Sequence, residues 1–369
     1  MTTPLSRLVG SLAPEGLQLY CPVPLQEHPA GGAFLDRAGA AWAVGQGLCA
    51  PGSRITRVNI GTFVARGMPY VTEQAAIAMT CYTYWAFLWD DHLDHLAEDP
   101  ARAMALTGEA NRVLYEPSDI PLPSDPFLTS LRDLRRLLEA CLDPDAMAML
   151  RSENDLWLGG QLWKLALQSR TTPPTVGEYL RMRRYKAGSG PLAVYTGPGA
   201  GYAMTTADLY DPLVCAFTQS VFYPCTIIND LGSLAKETQN GQDGISLFTA
   251  LATEHSLDTT TALLKAAELY ERTLCLMLRL QQQLLEDPRP AVARYAAELP
   301  QWIPATVVFT ATSARYLTTS LAGQADAPAT QPLISPSTNP LLWDPDDLTP
   351  PPYPDIAWIW QHLAPPKPR

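Results

Sequence analysis

The sequence predicts an all-α chain. Apolar residues recur at three- and four-residue steps through most of positions 33–319, Ala, Leu, Arg and Glu dominate there, and alternating runs bounded by tight turns are scarce. Positions 1 to about 30 are expected to be irregular, because Pro14, Pro22, Pro24 and Pro29 interrupt any continuous helix. Leu131, Leu134, Leu137 and Leu138 lie on one face of a helix in SLRDLRRLLEACL, and Leu263, Ala266, Ala267 and Tyr270 do the same later. Breaks are expected near Pro173-Pro174, at Gly188–Gly190 and at Gly197–Gly201. From about Gly323 the character changes. Positions 326–369 hold twelve prolines, which exclude a long helix, yet Trp343, Trp358 and Trp360 lie there too. Pure linker rarely carries so many tryptophans, so this stretch either packs on the domain or docks onto something else. The division expected is an N-terminal segment 1–17, a helical domain 18–322 and a Pro/Trp-rich extension 323–369.

A chain of 369 residues, 47% of them hydrophobic, can bury a substantial core. Its net charge of −11 argues against nucleic acid as a partner, since phosphate binding needs a basic face. The seven cysteines are scattered and never spaced CxxC, as expected of reduced thiols in a cytoplasmic protein. No charged start followed by an apolar stretch marks a signal peptide. The most apolar run, Ala75 to Trp89, is too short and too polar to enter a bilayer as a span.

Two acidic stretches carry the chemistry. Asp90-Asp91-His92-Leu93-Asp94 forms a DDxxD pattern, and Asn229, Ser233 and Glu237 recur every fourth residue in NDLGSLAKE. Both spacings stack side chains on one helical face. Oxygen ligands on two helices suit a hard cation such as Mg²⁺ rather than zinc. Each stretch follows an apolar or aromatic segment, TYWAFLW and VFYPCTII. A charged cluster ending an apolar wall describes the rim of a deep hydrophobic pocket. His92 and His95 have no cysteine partners and are expected to be solvated neighbours of that rim.

The chain resembles bacterial class I terpene synthases, whose hallmarks are an aspartate-rich motif and a downstream (N/D)Dxx(S/T)xxxE triad. Arg183, forty-six residues before Asn229, stands where the family has its diphosphate-sensing arginine, and Arg315-Tyr316 matches its arginine–tyrosine pair. CPVPLQEHP, TVGEYLRMRR and QWIPATVVFTATSARY are also similar, so the resemblance spans roughly residues 18–320. It implies one helical bundle around a deep apolar pocket and Mg²⁺, three ions, held by Asp90, Asp94, Asn229, Ser233 and Glu237. It implies that Asp91 pairs with Arg315 and that Arg183, Lys236, Arg315 and Tyr316 meet the substrate diphosphate. Phe87 and Trp302 would face the pocket and the carbocation, with Phe222, Tyr223 and Phe309 as weaker candidates. One departure stands out: Lys186 and Ala187 occupy positions tied to triggering ionisation, where an acidic residue or threonine is usual.

The implied reaction is Mg-dependent ionisation and cyclisation of a linear prenyl diphosphate, farnesyl diphosphate first and geranylgeranyl diphosphate second. A homodimer is compatible with this reading. A chain-elongating prenyltransferase would carry a second DDxxD motif, which is missing. A non-catalytic protein acting through its Pro-rich tail would leave both acidic motifs and both arginines unexplained.

Overall fold

The computed structural model describes residues 17–116, 121–239, 245–316, 334–337 and 342–364, the side chains of 17–18, 234–239, 259 and 334–337 excepted. Helices dominate: α1 (Gly32–Gly45), α2 (Ile60–Gly67), α3 (Glu73–Asp94), α4 (Pro100–Tyr115), α5 (Pro126–Glu139), α6 (Pro144–Gln168), α7 (Val176–Lys186) and α8 (Ser189–Thr196). They continue with α9 (Thr206–Leu209), α10 (Pro212–Gln239), α11 (Leu247–Glu254), α12 (Thr259–Leu285), α13 (Pro290–Glu298), α14 (Trp302–Thr312) and α15 (Pro354–Ala357). Four helices, α4, α5, α6 and α10, share one starting device, an Asp–Pro step. Asp99, Asp125 and Asp143 accept from the backbone N–H groups of Arg102, Phe127 and Ala146 at 3.0, 2.8 and 2.7 Å, and the following proline costs no ladder bond at the first helical position. The predicted breaks fall between α6 and α7, at Gly188 between α7 and α8, and after α8. Gly188 has φ of +74°, a left-handed turn that a side chain would strain.

Helix α10 packs against both α12 and α14, and α3 packs on α1, α2 and α5. The apolar wall of α3 is anchored by Trp85 stacked on Trp89, centroids 4.9 Å apart, with the Trp85 indole donating to the Phe127 carbonyl at 3.1 Å.

The N-terminal stretch differs from expectation, and residues 342–364 follow the first of the two alternatives, packing on the domain. Leu17–Tyr20 is a strand (β1) rather than irregular chain, and it pairs in parallel with β2 (Ile334–Ser337), Leu17 opposite Ile334. Its partner lies at the other end of the chain, so no local pattern announces it. Beyond β2, the main-chain N–H groups of Leu342 and Trp343 donate to Glu271 Oε2 on α12 at 2.6 and 2.9 Å, and Arg272 lies over the Trp343 ring at 4.2 Å. Ile356, Ile359 and Trp360 are buried in the main core. Asp355 pairs with Arg181 on α7 at 2.8 Å.

Candidate active site

A cavity enclosing about 1270 Å³ of empty space, its open mouth included, opens between α3, α6, α7, α10 and α14. Its apolar wall includes Phe63, Met79, Phe87, Phe222, Trp302 and Phe309. Trp302 is fully buried. Its indole donates to Thr196 Oγ1 at 2.9 Å and its ring lies 5.2 Å from Phe63. Phe309 stacks on Phe87 at 6.0 Å and meets Tyr316 edge-on at 5.8 Å. Phe222 also lines the cavity. Tyr223 does not, because its side chain turns into the core and its hydroxyl donates to the Leu180 carbonyl at 3.4 Å.

The rim is charged. Asp90 and Asp94 on α3 line the cavity, as do Asn229 and Ser233 on α10. Asp91, next to Asp90 in sequence, points elsewhere and takes a two-pronged contact from Arg315 at 2.9 and 3.0 Å. Arg315 also lies over the Phe87 ring at 4.9 Å. Burial works against its charge, but Asp91 outweighs it and holds the guanidinium above its ordinary pKa. Arg183 is buried on α7. It donates to Asn229 Oδ1 at 2.9 Å and pairs with Asp230 at the same distance. Asn229 in turn donates to the Tyr316 hydroxyl at 2.8 Å. One network therefore joins Arg183, Asn229 and Tyr316 across three segments of chain. Lys236 and Glu237 lie one turn further along α10, and their side chains fall outside the described ones.

Asp230, Lys164 and Gln161 were not singled out in the sequence. Asp230 accepts from the Tyr179 hydroxyl and from Leu247 N–H, so it orients Arg183 rather than facing the cavity. Lys164 on α6 reaches Asp94 at 2.5 Å and Asp90 at 3.6 Å, and Lys186 reaches Asp90 at 3.4 Å. Burial pushes the Lys186 ammonium down to about 8, opposed by Asp90 and reinforced by Lys164. Gln161, with its amide nitrogen toward Asp90 at 2.9 Å, lies between them. The available signal was the spacing of Trp157, Gln161 and Lys164, which places an aromatic ring, an amide and a cation on one face of α6. His92 is not simply solvated: it stacks on Phe127 at 4.6 Å, and burial lowers its pKa. His95 is exposed, with Nδ1 2.6 Å from the Asp91 carbonyl.

Asp90, Asp94, Asn229 and Ser233 bring side-chain oxygens to this rim, the donor type that suits a hard divalent cation. Among the described residues no three His, Cys, Asp or Glu side chains converge as a metal cluster.

Comparison with known proteins agrees with this architecture. The chain is 28% identical over 355 residues to a bonnadiene synthase from Allokutzneria albata, covering 93% of this chain and 96% of that one. It is 27% identical over 361 residues to a germacradien-6-ol synthase from Streptomyces pratensis, covering 95% and 98%. Among solved structures, the SVS_A2 protein from ancestral sequence reconstruction superposes with a TM-score of 0.75 at 23% identity, covering 94% of this chain and 98% of that one, a likeness of fold. The sequence model described as terpene synthase family 2, C-terminal metal binding, matches residues 81–274, more than half of the chain. With an all-helical bundle around an apolar, oxygen-rimmed cavity, the chain belongs to the bacterial class I terpene synthase family, whose enzymes are lyases acting on prenyl diphosphates.

Proposed function

We propose that this enzyme ionises and cyclises a linear prenyl diphosphate, farnesyl diphosphate by choice, in a Mg²⁺-dependent reaction. The observation that carries the reading is the division of one cavity into an aromatic interior and a rim where Arg183, Asn229 and Tyr316 are joined by hydrogen bonds. Asp90, Asp94, Asn229, Ser233 and Glu237 would hold the Mg²⁺ ions, three by the family resemblance, which supply Lewis-acid stabilisation of the departing diphosphate.

The residues themselves do the rest. The planar forks of Arg183 and Arg315, with Tyr316 and Lys236, bind the phosphate oxygens and fix the head at the rim. The apolar chain of the substrate folds against Phe87, Phe222, Trp302 and Phe309. When the allylic C–O bond breaks, its electron pair leaves with diphosphate and a cation remains inside the cavity. Aromatic faces stabilise that cation by roughly 0.5–2 kcal/mol each without bonding to it. The Asp91–Arg315 pair and the Arg183–Asn229 contact couple the ends of α3, α7, α10 and α14. Closure around the head thus excludes water from the interior.

The deciding assay incubates the purified enzyme with geranyl, farnesyl and geranylgeranyl diphosphates, with Mg²⁺ or with EDTA, and analyses the extract by gas chromatography–mass spectrometry. Cyclic product from farnesyl diphosphate that disappears with EDTA is expected. Product only from geranylgeranyl diphosphate would correct the chain length, and product that persists with EDTA would refute the metal dependence.

A further inference from the structure

We propose that Lys164 and Lys186 compete with divalent metal for Asp90 and Asp94, so that metal enters tightly only when a diphosphate draws the two ammonium groups away. The inference rests on the proposed function, because it takes Asp90 and Asp94 to be metal ligands.

The geometry places two cations on the two carboxylates. Lys164 Nζ lies 2.5 Å from Asp94 Oδ1 and 3.6 Å from Asp90 Oδ1, while Lys186 Nζ lies 3.4 Å from the same Asp90 oxygen. All four side chains are 13–18% exposed, so water screens these contacts only partly. The convergence is built into the packing of α6 on α7. A methyl group at Gly160 would stand 2.6 Å from the Lys186 backbone nitrogen, so only glycine lets α6 approach this closely. The Trp157 indole then donates to the Lys186 carbonyl at 3.1 Å and fixes where that lysine leaves the helix.

A divalent cation approaching Asp90 meets both ammonium groups, and one approaching Asp94 meets Lys164. It must displace them or sit beside like charge. Each lysine is a compact charge on a flexible four-carbon stem, able to swing onto phosphate oxygens. A bound diphosphate therefore offers the ammonium groups a new partner and frees the carboxylates. By linkage, metal and diphosphate strengthen each other's binding, and neither occupies the cavity efficiently alone.

The test titrates the purified full-length enzyme with Mn²⁺ in the absence of substrate, reading free Mn²⁺ by electron paramagnetic resonance. Wild type is compared with Lys164→Met, Lys186→Met and Lys164→Arg, each checked for native helix content by circular dichroism. The Met variants are expected to bind Mn²⁺ at least tenfold more tightly than wild type, and Lys164→Arg, which keeps the charge, to resemble wild type. Mn²⁺ binding that is unchanged or weaker in folded Met variants overturns the competition. Lys186→Met carries the test by itself should Lys164→Met fail to fold. A separate arm adds Asp90→Asn to the tight-binding variant. Loss of Mn²⁺ there supports the ligand assignment, and undiminished binding refutes that assignment rather than the behaviour of the lysines.

Discussion

Asp90 and Asp91 are neighbours with different tasks, and the difference follows from helical geometry. Successive residues on a helix point about 100° apart, so Asp90 turns to the cavity with Asp94 while Asp91 turns to Arg315. Arg315→Lys breaks the two-pronged contact, because a single ammonium cannot reproduce the planar fork. Asp91 is 35% exposed, so the loss of stability is expected at about 1–2 kcal/mol, below the 3–5 kcal/mol of a fully buried pair. The urea midpoint measures it. Asn229→Ala acts on chemistry instead. It removes the link between Arg183 and Tyr316 as well as a proposed metal donor. Turnover should fall by about 100-fold or more with little change in the melting curve, the scale typical for one preorganised polar group. A variant with full kcat would refute this placement. These roles were readable in part. The fourfold spacing of Asn229, Ser233 and Glu237 is local, so the sequence displays it. The pairing of Lys164 with Asp94 joins residues seventy positions apart, and no local rule announces it.

At the scale of elements, the cavity depends on a few close approaches. A methyl group at Gly67 on α2 would stand 2.3 Å from the Trp302 ring. Gly67→Ala must push that ring inward or part α2 from α14, at a cost of about 1–3 kcal/mol for overpacking. Because Trp302 lines the cavity, the product distribution from this variant should shift even where the protein remains folded. Gas chromatography of the extract checks it, and an unchanged profile would return Trp302 to plain core packing. Phe87→Ala should likewise give slower turnover or products quenched early. The helix breaks were legible from proline and glycine; the Asp–Pro steps before α4, α5 and α6 are equally short-range signals that the sequence reading passed over. Strand β1 was not, since four residues without their partner carry no decisive pattern.

For the molecule as a whole, residues 342–364 are part of the body and not an appendage of it. Ile356, Ile359 and Trp360 lie in the main core, and Trp358 rests over Arg184 on the helix that carries Arg183 and Lys186. Ile359→Ala should cost about 2–5 kcal/mol, as for other buried aliphatic truncations, and lower the urea midpoint accordingly. Ending the chain before Leu342 should destabilise more than this single change. Equal stability of the shortened protein would show the segment to be energetically idle.

Local pattern was enough to read the helical class, the breaks between helices and the two acidic motifs. All of these rest on short-range periodicity, on proline and glycine backbone limits and on side chains one turn apart. Which charges meet is a matter of how the helices pack. The positions of Lys164 and Lys186 on the aspartates, Asp230 on Arg183 and the tail on α7 depend on how helices pack, and packing is the sum of many distant contacts that no local window contains.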